Sequence, residues 1–219
     1  SGWASWRYPI QARWPTAVPP AVWPDAAAYD TAVRRLIGQG AALDERSVYF
    51  LARLSPRYPT IEVRVADVCL DAGTAVLAAG LTRALVATAL AEARRGTPPA
   101  AASARQVAAA LVAAARHGLA GAGADPVTGQ AADARSLLSR LLDHVYPALS
   151  DHGDTETITT LLRRLDQRGT GADRQRALFT SAASTPAFIT ALARATLSGH
   201  EPGRWRQPDA QVPAAAGAQ

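Results

Sequence analysis

Residues 59–69 read PTIEVRVADVC. Between Thr60 and Val68 apolar and polar side chains alternate, the two-residue period of an extended strand. That alternation assigns Ile61, Val63 and Val65 to one face, directed at a core, and Glu62, Arg64 and Ala66 to the other, directed at a cleft or solvent. Just upstream, SVYFLARL from Ser47 to Leu54 is rich in β-branched and aromatic residues, and SPRYP supplies a turn between the two runs. The pair predicts an antiparallel β-hairpin.

After Asp71 the whole chain carries helical spacing. The pattern predicts helices over Ala75 to Arg95, Ser103 to His117, Ala131 to Leu149, Thr155 to Arg168, Asp173 to Ala182 and Pro186 to Leu197. RRGTPPAA, GLAGAGADPVTGQ, LSDHGD and RGTG separate them, and Ser184 with Pro186 starts the last. Upstream of the hairpin, Asp25 or Asp30 is placed to cap a short amphipathic helix that runs through Ile37 and stops at Gly38 and Gly40. The first 25 residues hold four of the five Trp and five Pro, which suits an extended, packed loop. The fold class expected is α+β and mostly helical, a short antiparallel hairpin packed by a C-terminal set of helices. Residues 1–198 form one domain on this reading, and residues 199–219, rich in Pro, Gly and Ala, a disordered tail. The abrupt opening inside an aromatic segment is what a cut from something longer predicts.

With 48% hydrophobic residues but only 6% aromatics, the core is expected to come from helices packed closely through alanine. All 23 basic residues are Arg, against 18 acidic ones, giving a formal charge of +5. Planar guanidinium forks suit phosphate or carboxylate ligands, and a GC-rich genome favours Arg over Lys as well. The helical arginines, Arg83, Arg94, Arg95, Arg105, Arg116, Arg135, Arg140, Arg163 and Arg164, are dispersed and mark no basic stripe, so no nucleic acid is expected as partner. Cys69 is the single cysteine, which fits a reducing cytoplasm. Arg83 and Glu92 interrupt the longest Ala/Leu/Val run, so no membrane association is expected.

Glu62 and Arg64 project the same way, about 6 to 7 Å apart by strand rise. A carboxylate is a hard oxygen ligand for Mg²⁺, and a guanidinium two residues along reaches a phosphate oxygen bridged by that metal. Spacing alone favours a plainer account, a solvated sheet face on which both residues pair with neighbouring strands. Cys69 has no implied His or Asp partner and suits a buried thiol. His117, His144, His152 and His200 show no metal-ligand spacing.

The wider string LSPRYPTIEVRVADVC resembles type 2 glutamate-cysteine ligases, the carboxylate-amine ligase family, whose catalytic domain is similar to that of glutamine synthetase. SGWASWR and RWPTAVPP, from Ser1 and from Arg13, resemble further segments of that family, as does RGTGADRQRALF from Arg168 to Phe179. The resemblance implies a hairpin that is part of a glutamine synthetase-like sheet, with ATP and Mg²⁺ as cofactors. It implies Glu62 as metal ligand, Arg64 as the catalytic residue that also touches ATP phosphate, and Arg7 beside substrate and cofactor. Arg7 and Arg13 as surface cations over Trp rings is the equal alternative. Arg174 and Arg176 lie in a first helical turn, where the dipole disfavours cations; anion binding and a structural junction both account for them.

The implied reaction is ATP-dependent: phosphorylation of the γ-carboxylate of a glutamate-like acid, then displacement of phosphate by an amine such as that of cysteine. Four positions depart from the family pattern, with Leu51 for aspartate, Leu54 for proline, and Val112 with Ala113 for a tryptophan-arginine pair. The family's N-terminal half, with its acidic strand, is missing, so this chain alone is expected not to catalyse. A separately encoded N-terminal half, a non-catalytic remnant and an Arg-rich helical binding module are the alternatives, and the resemblance suggests a homodimer.

Overall fold

A computed structural model describes residues 1–197. The tail expected over residues 199–219, with His200, lies outside the described residues.

The N-terminal segment is not wholly extended, because Arg7–Gln11 form a short helix, α1. Asp25 then accepts the N–H of Ala28 at 2.8 Å and starts α2, Ala26–Gly38. A 3₁₀ turn, Glu45–Ser47, leads into β1, Ala52–Leu54, which pairs antiparallel with β2, Ile61–Val63. Both strands are shorter than the apolar runs predicted. The register sets Ala52 opposite Val63, Arg53 opposite Glu62 and Leu54 opposite Ile61.

Six longer helices follow, close to the predicted spans: α3, Ala72–Arg94; α4, Ala104–His117; α5, Ala134–Asp151; α6, Thr155–Arg168; α7, Gly171–Ser181; and α8, Thr185–Leu197. Most start on a side-chain acceptor. Asp71 caps α3, Asp133 caps α5, and reciprocal capping boxes form between Ser103 and Gln106 on α4 and between Thr170 and Asp173 on α7. Asp173 is therefore the third residue of its helix rather than the first. Asp154 makes no such cap on α6 because its carboxylate is turned to Arg83 of α3.

A second hairpin stands where the sequence pattern predicts a loop and, from Ala131, the start of a helix. β3, Ala122–Ala124, pairs antiparallel with β4, Ala131–Asp133, across a turn held by Asp125. Its carboxylate accepts the N–H groups of Val127 and Thr128, at 2.8 and 3.1 Å, and Arg140 donates to it at 2.7 Å. The backbone hydrogen bonds hold the Asp125 carboxyl below its ordinary range.

Two apolar clusters organise the chain. Leu77 and Ala84 of α3 meet Val145, Ala148 and Leu149 of α5 and Ile158 of α6. A Cβ on Gly80 would come within 2.6 Å of the Ile158 Cδ1, so any larger residue at 80 would force the Ile158 side chain to shift. The second cluster joins Tyr29 and Val33 of α2 to Ala42, Val48 and Phe50, with Trp23 edge-on to Tyr29 at 5.0 Å between ring centroids. By length and composition α3 is apolar enough to cross a membrane. Arg83 and Glu92 do not prevent this; Arg83 pairs with Asp154, while Glu92 lies 3.8 Å from His144.

Candidate functional site

The β1–β2 register makes the first group. Arg53 and Glu62 are directly opposed, and Arg53 Nε donates to Glu62 Oε2 at 2.9 Å. Arg64 Nη1 reaches the same oxygen at 3.4 Å, so one carboxylate oxygen joins two guanidinium groups. Glu62 and Arg64 thus lie on one side, as the alternation predicts, with side chains 36% and 32% exposed. The Arg64 guanidinium also lies over the Tyr49 ring, 5.5 Å from its centroid. The hydrogen bond from Arg53 is the main reason the Glu62 carboxyl sits below its usual range. Glu62 is consequently an anion across the neutral pH range.

Arg53 is the residue that the sequence pattern does not single out. Its side chain is 8% exposed and donates to the backbone oxygens of Val48 at 2.7 Å and Arg46 at 3.1 Å. An arginine inside the apolar run SVYFLARL is the signal that a buried acceptor stands opposite.

The faces of β2 are inverted relative to the expectation. Alternation assigns Ile61, Val63 and Val65 to a core, yet they are 56%, 44% and 43% exposed, whereas Arg53 on the charged face is buried. Three backbone acceptors and a carboxylate make burial of the guanidinium feasible, and two strands of three residues leave the apolar face only partly covered.

Arg7 is held elsewhere. It donates to the carboxylate of Asp67, to the side chain of Gln11, and to the backbone oxygen of Val65 at 2.9 Å, which fastens α1 to the stretch following β2. The Ser5 N–H donates to the Ala115 oxygen at 2.8 Å, and Arg116 lies over the Trp3 ring. A cavity of about 540 Å³ opens between this N-terminal segment and α7–α8, lined among others by Ser5, Arg7, Asp67, Gln175 and Arg176. Ser5 Oγ is buried there with no hydrogen-bond partner among the described residues. The strings SGWASWR, ADVC and RGTGADRQR, distant in sequence, therefore converge around one opening. Glu62 and Arg64 do not line it.

Arg174 and Arg176 find acceptors despite their first-turn positions. Arg174 pairs with Asp71 across to α3, and Arg176 pairs with Asp173 at 2.6 Å while donating to the Trp3 oxygen at 3.3 Å. Burial pushes the Cys69 thiol up, with Asp71 and Asp67 adding to the effect, so the sulfur stays protonated. His152 Nδ1 lies 2.7 Å from the Ala148 oxygen, inside its own helix end.

Among the described residues no group of three or more His, Cys, Asp or Glu is gathered closely enough to hold a metal ion. Glu62 offers one carboxylate, already shared by two arginines. The described residues by themselves do not make a Mg²⁺ site.

Comparison with known proteins bears on what these groups belong to. The profile of Glutamate-cysteine ligase family 2 matches residues 1–195. A relative from Frankia alni, provisionally named glutamate-cysteine ligase 2-2, is 45% identical over 179 residues, 82% of this chain and 47% of its own length. The chain belongs to glutamate-cysteine ligase family 2. Similarly named family members from Nocardia farcinica and Streptomyces coelicolor are 43% and 41% identical, over 92% and 90% of this chain and 53% and 54% of their own lengths. The chain spans about half the length of the curated family 2 relatives it matches.

Proposed function

We propose that the chain is a portion of an ATP-dependent carboxylate-amine ligase that joins a glutamate-like acid to an amine such as cysteine through an acyl phosphate. Family membership supports the ligase class, and the observation that carries the assignment to residues is the common projection of Glu62 and Arg64 from β2. In this reading Glu62 would offer one oxygen to a Mg²⁺ ion whose other ligands would come from outside the described residues. Arg64 faces the phosphates, where its fixed positive charge offsets negative charge developing during transfer. Arg7, with Ser5 and Arg176, belongs to the substrate side, where an unpartnered hydroxyl and two guanidinium groups suit a carboxylate. ATP supplies the phosphoryl group that turns the acid's carboxylate into an acylating agent.

The segment equivalent to the other half of the relatives' length completes the site. The partly bare face of β2, with Ile61, Val63 and Val65, is where it adds. The decisive test is calorimetric titration of Mg·ATP into the reconstituted full-length protein. Glu62→Ala is expected to abolish binding. Unchanged nucleotide affinity in that variant ends the assignment.

A further inference from the structure

RGTGADRQR is absorbed only in part by the opening described above. On its other side the same turn walls a second, smaller cavity of about 90 Å³, between the start of α3, the last turns of α6 and the start of α7. Arg164 and Arg168 of α6 line it together with Arg174 of α7, and Asp71, Thr74 and Gly169 complete the polar wall. Three arginines and one aspartate thus line a single cavity, with Arg164 and Arg168 exposed at its edge. Arg174 is neutralised by Asp71, which also accepts the Thr74 N–H at 2.8 Å. Burial opposes ionisation of Asp71, but these hydrogen bonds outweigh it and the carboxyl stays below its ordinary range. Arg164 and Arg168 are left over: neither makes a side-chain hydrogen bond or an ion pair among the described residues.

Two unpaired guanidinium groups four residues apart repel each other on a helix surface. The helix-end dipole favours a cation at Arg168, the residue in the last turn of α6, but does not account for a second cation lining the same cavity. We infer that this cavity is a binding site for a small tetrahedral oxyanion, held by Arg164 and Arg168 and oriented by Arg174. The cavity is small, about 90 Å³, which suits one phosphate group. The ligand is therefore either free phosphate or the terminal phosphoryl group of a molecule whose remainder stays outside. The Asp71 carboxylate also lines the site and disfavours a bare anion except where Arg174 screens it.

The test is titration of the full chain with inorganic phosphate at constant ionic strength, followed by calorimetry. Arg164→Gln/Arg168→Gln is expected to weaken phosphate binding by about tenfold or more, the loss of two charge-assisted contacts. Arg163→Gln removes an exposed arginine of the same helix that does not line the cavity, and is expected to leave affinity unchanged. ADP competing with phosphate and showing the same arginine dependence identifies a phosphoryl group as the ligand, and ADP without effect identifies free phosphate. Equal weakening by Arg163→Gln, or no saturable binding to the unmodified chain, overturns the site. Should the double variant melt early, Arg164→Gln alone takes its place, and an unchanged phosphate affinity in that variant overturns the site as well.

Discussion

The hairpin region and the α3–α5–α6 region follow opposite rules of burial. In the helices a set of apolar residues goes in, as with Leu77, Val145 and Ile158, while Arg83 and Arg135 stay at the rim, paired to Asp154 and Asp166. In the hairpin an arginine goes in and the valines and isoleucine stay partly out. The helical region buries an apolar core, although Val76, Leu85 and Leu90 of α3 stay partly exposed. The hairpin satisfies its charges instead, and leaves apolar surface of the kind that another polypeptide covers.

The largest effect expected from this contrast is on the helical side. Ile158→Ala empties a site that is 2% exposed and pressed against Gly80, and should cost about 2–5 kcal/mol in chemical denaturation. A loss no greater than that of the hairpin variants would erase the distinction. Arg53→Met comes next. It leaves the Val48 oxygen without its donor and the Glu62 carboxylate with the longer contact from Arg64, so a loss of about 1–3 kcal/mol is expected by the same measurement. A neutral result would mean that the buried guanidinium adds nothing to the hairpin. The smallest effect belongs to the double change Ile61→Thr/Val63→Thr, expected within about 0.5 kcal/mol in this chain alone. In the reconstituted protein the same change should weaken association with the other half, measured by calorimetry. A large destabilisation of the isolated chain would show that the face is already covered.

Much of this is legible in the sequence, and the exceptions have physical causes. Helical periodicity with Asp25, Ser103 and Thr155 as punctuation sets the helix spans to within a few residues. Alternation in TIEVRV gives the relative directions of Glu62 and Arg64 correctly, since a pleat fixes which residues share a face. It cannot say which face is buried, because that depends on what lies over the sheet. Apolarity is the wrong guide there, and the arginine opposite Glu62 the right one. The β3–β4 hairpin is hidden because AGA and AAD contain no β-branched or aromatic residue. Its readable signal is the Asp-Pro-Val-Thr-Gly turn from Asp125 to Gly129. Resemblance alone places Arg7 on the ligand side, and its actual partners, Asp67 and Val65, lie too far along the chain for any local pattern to connect.

The bond from Arg176 to the Trp3 oxygen joins residues 173 positions apart, and Ser5 docks on α4 from far along the chain as well. Translation delivers the aromatic segment around Trp3 long before either receptor helix exists, so it must wait unanchored until they form. Closing so long a loop is slow relative to helix formation. Trp3 fluorescence should accordingly be the last signal to reach its native value on refolding, and the interval before it does is when the chain is most open to aggregation.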